Sequence, residues 1–168
     1  MKLTDLQSLE EWITLEEEIR QRSGMRASIY DIDGIGLTGR SPHANKLCPA
    51  IRATGKGQTY ICAVAHQNMA AMAQNSRSPV IEECDAGLIK IVVPIFVDGT
   101  FVGAAGGCGL LMEDGEVDDF MINKTTDLAE EEIATLAETI APITRQEAEN
   151  LAAYIAGEIA RVVNRYQG

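Results

Sequence analysis

Residues 87–110, GLIKIVVPIFVDGTFVGAAGGCGL, decide the fold class of this chain. The run LIKIVVPIFV is almost continuously apolar, which predicts a central strand covered on both faces. Asp98-Gly99 predicts a two-residue turn, and TFVGAAGGCGLL predicts the returning strand of a β-hairpin. Glycine inside that strand indicates a bulge or the close approach of a ligand. We therefore expect a hairpin at the centre of an antiparallel sheet.

The segments before this hairpin alternate between helix and strand patterns. Residues 4–22 predict an amphipathic helix that begins at a Thr4–Gln7 capping box. Residues 26–39 predict a first hairpin, which turns at Asp33-Gly34. The further elements expected before residue 87 are a polar loop at 41–46, a short helix at 46–53, a longer helix at 57–75 and a short strand at 80–84.

The last third of the chain predicts an acidic loop over 111–126 and helices over 128–139 and 144–166. The predicted helix starts are the pairs Asp127…Glu130 and Thr144…Glu147. The whole order predicts an α+β domain of the PAS or GAF type, with a mostly antiparallel sheet flanked by helices and long terminal helices. We interpret residues 1–168 as one domain, with an N-terminal helix over 1–22, a sensor core over 26–126 and C-terminal helices over 127–168.

Composition excludes several classes of function. The chain has 168 residues, 46% of them hydrophobic, which is enough to bury a core. Its net charge of −11, without a local Lys/Arg cluster, opposes binding to nucleic acid or to an anionic membrane surface. No stretch is apolar enough to span a membrane, and the acidic start MKLTDLQSLEEW is unlike a secretory signal. We therefore expect a cytoplasmic protein with reduced thiols.

Four cysteines, Cys48, Cys62, Cys84 and Cys108, lie at the edges of predicted elements. No pair has the C-x-x-C spacing of a zinc ribbon or a redox dithiol, so only the fold could bring them together. If they converge, four thiolates suit a zinc ion or an iron–sulfur cluster. The alternative is that each cysteine packs as a small buried apolar side chain.

His66 lies one helical turn after Cys62, on the same face of the predicted helix. The pair predicts either shared metal ligation, an axial haem ligand at His66, or a thiol nucleophile with a base. A hydrogen-bonded pocket histidine is the simpler interpretation. Tyr30 and Phe96 are candidate walls of a ligand pocket, although core packing explains them equally well.

The stretch 47–110 carries a family resemblance. Its features are Leu47-Cys48, Cys62 on the next helix, the Cys-x-Ala-Gly-Leu element at 84–88, a Val-Pro-Ile strand, the Asp-Gly turn and the glycine-rich return. Together they resemble the PocR-type sensory domain, a PAS-like ligand-binding module of bacterial signal-transduction proteins. Two positions depart from that pattern: Asp85 stands where such domains often have histidine, and Cys108 where many have a polar residue such as glutamine. The first departure removes a ligand or hydrogen-bonding group that Cys108 could replace, and Asp85 is kept among the candidate ligand-contacting residues.

The resemblance implies a non-enzymatic sensor of a small molecule. We expect the ligand, or a thiolate-held cofactor, to bind between the sheet and the helices near 47–75. A redox or metal sensor with a cysteine-held iron–sulfur cluster, haem or zinc is the alternative, and a Cys-dependent enzyme is a third. Apolar stripes on the first and last helices favour a homodimer, and the sequence does not identify the downstream signalling partner.

Overall fold

The computed structural model describes residues 1–168 as an α+β fold built on one sheet. The strands run in the order β1-β4-β3-β2, and all of these neighbours are antiparallel. A fifth strand adds a short parallel pair to the end of β4. The strands are β1 (Arg26–Asp31), β2 (Val80–Glu83), β3 (Ile89–Val97), β4 (Thr100–Met112) and β5 (Pro142–Ile143). This is the mostly antiparallel architecture that the sequence predicts.

Helices cover both faces of the sheet. A π-helical segment, Gln58–Ala63, joins α4 to α5, so that residues 55–76 form one nearly continuous helix. None of the helices combines the length and the apolar composition needed to cross a membrane. The helices are α1 (Leu3–Leu6), α2 (Leu9–Ser23), α3 (Leu47–Ala53), α4 (Gly55–Gly57), α5 (Val64–Ser76), α6 (Asp119–Thr126), α7 (Glu130–Ala137) and α8 (Arg145–Gln167).

The central hairpin forms as predicted. Asp98 and Gly99 both have positive φ, 49° and 79°, which matches the twist of the two strands that they connect. Eight of the nine residues of β3 are buried, because α2 and α8 lie on one side of the sheet and α5 lies on the other. The apolar run in the sequence therefore reports a strand that is covered on both faces.

The main core lies between the sheet and helices α1, α2 and α8. It contains 24 buried residues, including Trp12 and Ile19 of α2 and Ile155 of α8. Most of the two helical stripes that favoured a homodimer packs into this core. Leu9 and Tyr166 are each 43% exposed, and Ile13 is half-buried outside the core.

The predicted N-terminal helix is divided into two helices. Gln7 is extended (φ −160°, ψ 166°) and separates the short α1 from α2. The reciprocal capping box of α2 is formed by Ser8 and Glu11, whose carboxylate accepts hydrogen bonds from the Ser8 backbone N–H and hydroxyl. The predicted Thr4–Gln7 box is wrong, because Thr4 lies inside α1 and Gln7 lies just beyond its end.

The first predicted hairpin is only half formed. β1 is regular, but after the turn the chain makes a single bridge, Tyr30 to Gly36, and then leaves the sheet. The Asp31 carboxylate accepts hydrogen bonds from the backbone N–H groups of Asp33 and Ile35, so it shapes the turn. β1 pairs instead with β4 along its full length, and this pairing replaces the expected return strand.

The segment after β4 is more regular than predicted. Residues 119–126 form α6, which Asp118 caps through the Met121 backbone N–H, in place of an uninterrupted loop. Asp127 has a left-handed conformation (φ 62°) and ends α6, so the predicted Asp127…Glu130 start of the next helix is wrong. The Thr144…Glu147 capping box of α8 forms as predicted.

Candidate functional site

The face of the sheet opposite the main core carries polar side chains in one row, near the start of β1, the start of β3 and the end of β4. Side chains that stand directly opposite one another on antiparallel strands share one face. The register places Cys108 of β4 between Arg26 of β1 and Lys90 of β3. The alternate residue Ile91 points the other way, into the main core. One row of the sheet thus presents two cations and a thiol to the same side.

This row forms the floor of a cavity of about 330 Å³. The walls are β1, the loop after it, α3, the π-helical segment, the start of α5 and the turn before β3. A π-helical insertion often marks a functional site, because it redirects side chains within an otherwise regular helix. Here it contributes Gln58, Ile61 and Cys62 to the wall. The volume suits a small organic molecule.

The fold brings all four cysteines to this one cavity. Cys48 lies on α3, Cys62 on the π-helical segment, Cys84 directly after β2 and Cys108 on β4. All four are free thiols and each is partly buried. The convergence needs contacts between segments that are far apart in sequence, which is why spacing alone could not establish it.

Burial raises the pKa of three of these thiols, those of Cys48, Cys62 and Cys84. Burial raises the pKa of Cys48 to about 12, and the nearby Cys108 thiol adds to the rise. The pKa values of Cys62 and Cys84 are also raised, mainly by burial. Because the thiolate is the nucleophile and the metal-binding form, these groups are poorly reactive as they stand.

The turn that carries Cys84 is fixed by its backbone. The Cys84 N–H donates to the Leu88 carbonyl, and the Gly87 N–H donates to the Cys84 carbonyl. Gly87 has φ +86°, and a Cβ there would lie 2.2 Å from the Glu116 carbonyl oxygen. Only glycine fits this position, which explains the Ala-Gly-Leu element after the cysteine.

Asn45 joins the wall of the cavity to its floor. Its Nδ2 donates to the Gly109 carbonyl at 2.7 Å and lies 3.3 Å from the Cys48 Sγ. Its Oδ1 accepts a hydrogen bond from the Cys48 backbone N–H at 2.8 Å. The side chain is buried, so these bonds hold the start of α3 beside β4 and keep Cys48 close to Cys108.

The side chains around the cavity do not form a ready metal centre. No three His, Cys, Asp or Glu side chains are grouped so that they could hold an ion. The four cysteines therefore share one cavity without standing at the mutual positions of a tetrahedral site.

His66 is held by packing rather than by hydrogen bonds. Its ring stacks on Tyr30 with centroids 3.8 Å apart, and its Cδ2–Nε2 edge lies against Gly34. Its Nδ1 atom is buried and has no partner. Burial, together with the nearby Lys90 charge, lowers the pKa of His66 to about 4, so the ring is neutral at neutral pH. No hydrogen bond joins it to Cys62, so the pair lacks the contact that a nucleophile and its base require.

Two of the candidate ligand-contacting residues lie elsewhere. Tyr30 and His66 line the cavity, but Asp85 and Phe96 do not. Asp85 faces a separate acidic depression beside Glu83 and Asp118. Phe96 makes an edge contact with Phe101, and the Arg77 guanidinium lies over its ring. The β3 register explains this, because Phe96 lies at the hairpin end of the strand, away from the polar row.

Sequence patterns missed the charged residues of the cavity. Lys90 interrupts the most apolar run of the chain, and that interruption was the available signal. It is 6% exposed, and burial by itself would lower its pKa. The neighbouring Tyr30 and Cys108 outweigh this effect, so the pKa of Lys90 is raised and its ammonium group stays charged. The other missed charged residues of the lining are Glu16, Arg26, Asp33, Arg40 and Arg52.

Comparison with known families yields one match. The family model described as the sensory domain found in PocR matches residues 5–165, which is nearly the whole chain. No curated protein and no solved structure matches the chain.

Proposed function

The chain belongs to the PocR sensory-domain family, and we propose that it is a cytoplasmic, non-enzymatic sensor of a small organic molecule. The observation that carries this proposal is the cavity of about 330 Å³ between the sheet and helices α3 to α5. It combines apolar walls with a few convergent polar groups, as small-molecule sites do. Lys90, Tyr30, His66 and Cys108 would contact the ligand.

A connection from the cavity to α2 supports a signalling role. Glu16 of α2 lines the cavity, and its carboxylate accepts hydrogen bonds from the Ile29 backbone N–H and the Thr38 hydroxyl. Thr38 belongs to the loop that walls the cavity. A ligand that moves this loop would change the hydrogen bonds of Glu16 and hence the position of α2. It shifts the balance only if it binds one arrangement better than the other.

The cysteine chemistry favours binding over catalysis. The raised pKa of the Cys62 thiol and the absence of a partner at His66 Nδ1 leave this pair without an activated nucleophile. Detection of any turnover that disappears in Cys62→Ala would contradict a purely binding role.

This proposal is tested by a bulky side chain on the floor of the cavity, which would occupy the space of a ligand. Cys108→Phe places a ring in the cavity, and Gln74→Phe adds the same ring on the exposed face of α5 as the matched control. Ligand-observed NMR with short-chain diols, aldehydes and carboxylates should show binding to the wild type and to Gln74→Phe, and none to Cys108→Phe. Equal binding to all three proteins, or to none, would contradict a cavity sensor.

A thiolate-held cofactor is a second candidate, because four cysteines line one cavity. Zinc or an iron–sulfur cluster would have to deprotonate the thiols and draw them together. His66 is a poor axial haem ligand, since its ring stacks on Tyr30 and its Cδ2–Nε2 edge lies close to the backbone at Gly34. Elemental analysis of anaerobically purified protein decides this: about one zinc or several irons per chain would support it, and metal-free protein would rule it out.

A further inference from the structure

Lys90 is a buried cation without a carboxylate partner. It is 6% exposed and lines the cavity, and none of the salt bridges of the chain includes it. Its cross-strand neighbour on β2, Glu82, is exposed and does not pair with it. Its Nζ lies 5.2 Å from the centroid of the Tyr30 ring, and Tyr30 and Cys108 are the main neighbours that favour its charged form. Neither neighbour is a carboxylate, so an anion in the cavity would stabilise the buried ammonium group further.

Arg26 repeats this pattern on the other side of Cys108. Its Nε atom is buried and has no partner. Its Nη1 atom contacts only the ring nitrogens of His43, at 3.4 Å. The Arg26 charge acts on the Glu16 carboxylate, but that carboxylate accepts its hydrogen bonds from Ile29 and Thr38 and makes no salt bridge with Arg26. Cross-strand neighbours lie about 5 Å apart, so Lys90 and Arg26 flank the space above Cys108.

The cavity as a whole reverses the charge of the chain. The chain has 14 Lys and Arg against 25 Asp and Glu. The cavity lining has four Lys and Arg against two Asp and Glu. The cationic residues are Arg26, Arg40, Arg52 and Lys90, and the acidic ones are Glu16 and Asp33. Arg40 and Asp33 lie at the exposed rim, and Lys90 is buried inside. A positive excess at a cavity of an acidic protein attracts an anion.

We propose that the ligand of this cavity is a small organic carboxylate with a short apolar chain, and this inference rests on the sensor function proposed above. Its carboxylate lies over Cys108, between the Lys90 ammonium and the Arg26 guanidinium. Its chain lies against the apolar wall formed by Ile51, Ile61 and Cys62. The Lys90 contact is a charge-assisted hydrogen bond shielded from water, so it carries most of the selectivity for charge.

The test compares each carboxylate with its neutral isostere. Acetate, butyrate and hexanoate are titrated by calorimetry beside acetamide, butyramide and hexanamide. We expect butyrate or hexanoate to bind at least about tenfold more tightly than its amide, the loss typical of a hydrogen bond to a charged group. Inorganic phosphate, which lacks an apolar part, should bind more weakly than hexanoate.

Two variants test whether Lys90 is the source of the preference for carboxylates over amides. Lys90→Met keeps the length and packing of the side chain and removes its charge, and Lys124→Met on exposed α6 is the matched control. Lys90→Met should lose about tenfold to a hundredfold in carboxylate affinity and clearly less in amide affinity, because an amide oxygen accepts only a weaker hydrogen bond from the ammonium group. Lys124→Met should behave as the wild type. The comparison of carboxylate with amide on the wild type stands even if Lys90→Met fails to fold.

The outcomes separate this inference from the sensor function. Amides that bind as tightly as carboxylates, or an unchanged carboxylate affinity in Lys90→Met, would overturn the anion assignment and leave a cavity sensor standing. Phosphate that binds as tightly as hexanoate would overturn the role of the apolar chain. Failure of every carboxylate and every amide to bind would overturn the anion assignment and count against the sensor function as well.

Discussion

Alternate residues of the same strands face a packed core on one side of the sheet and a cavity on the other. On β3, Ile91 and Val93 enter a core of 24 residues with α2 and α8, whereas Lys90 faces a cavity. On β4, Ala105 joins the core and Cys108 faces the cavity. The packed face is dry and apolar, and the cavity face is polar at one end only, since Val92 and Ala104 still pack against α5. A strand apolar on both faces can therefore carry a site wherever the helical cover is incomplete.

The largest effect is expected from a lysine placed one residue further along β3, on the packed face. Ile91→Lys puts an ammonium into the packed face, where no cavity receives it, and we expect a loss of about 4 kcal/mol or more in the free energy of unfolding. Urea denaturation measures the loss, and Ile91→Val, with an expected cost of about 1 kcal/mol, is the control. An Ile91→Lys protein within about 1 kcal/mol of the wild type would mean that the two faces are not distinct.

The rate at which the thiols of the cavity face react is a second test of the difference between the two faces. With a pKa of about 12 instead of 9.0, folded Cys48 should alkylate about a thousandfold more slowly than in the urea-unfolded chain. Iodoacetamide labelling followed by peptide mass spectrometry measures both rates at a pH of about 8, where unfolded thiols react. Comparable rates in the two states would show that Cys48 is open to solvent and that burial does not set its pKa.

His66 gives the cavity face a dependence on pH that the packed face lacks. Its pKa is lowered from 6.5 to about 4 by burial, so below pH 6.5 the unfolded chain takes up a proton that the folded chain does not. Stability should fall between pH 6.5 and about 4, by up to about 3 kcal/mol.

The contribution of His66 to the pH dependence of stability is the difference between the wild type and a variant without a titrating ring. His66→Phe keeps the ring against Tyr30 and removes the titration, so its stability should fall less over the same pH range, as urea denaturation at several pH values would show. The exposed His43, replaced by Phe, should change the pH profile less. Parallel profiles for the wild type and His66→Phe would contradict a buried neutral imidazole.

Lys90→Met should have the smallest effect on stability. Burial disfavours the Lys90 ammonium group whereas the neighbouring Tyr30 and Cys108 favour it, so the two consequences of removing the charge oppose one another. In the absence of ligand the free energy of unfolding should therefore change by no more than about 1 kcal/mol. Urea denaturation of the ligand-free variant beside Lys124→Met measures the change. A loss of about 3 kcal/mol or more would show that the protein itself supplies a strong partner for Lys90.

The sequence predicts the packed face better than the cavity face. Periodicity finds β3, β4, α5 and α8, because burial on a regular element leaves a repeating apolar pattern. It fails at residues 31–39, where the Asp31 carboxylate shapes a turn and the expected return strand does not form. It does not tell which candidate residues line the cavity, and Phe96 and Asp85 lie outside it, since the distance of a residue from the polar row depends on strand register.

The charged part of the candidate site is harder to predict for a physical reason. Lys90 and Arg26 become neighbours of Cys108 only through pairing between strands that are far apart in sequence. The four cysteines could be marked as candidates, but only tertiary contacts place them on one cavity. A lysine inside an apolar strand is nevertheless a local signal, because such a strand excludes charge unless the charge has a use.

Methyl NMR of the isoleucines tests most directly the claim that one face holds the ligand and the other is core. Ile51 and Ile61 line the cavity, whereas Ile91 and Ile155 belong to the packed face. Titration with hexanoate should shift the δ1 methyl signals of Ile51 and Ile61 in a saturable way and leave those of Ile91 and Ile155 nearly unchanged. Saturable shifts confined to Ile91 and Ile155, or equal shifts on both faces, would contradict the account.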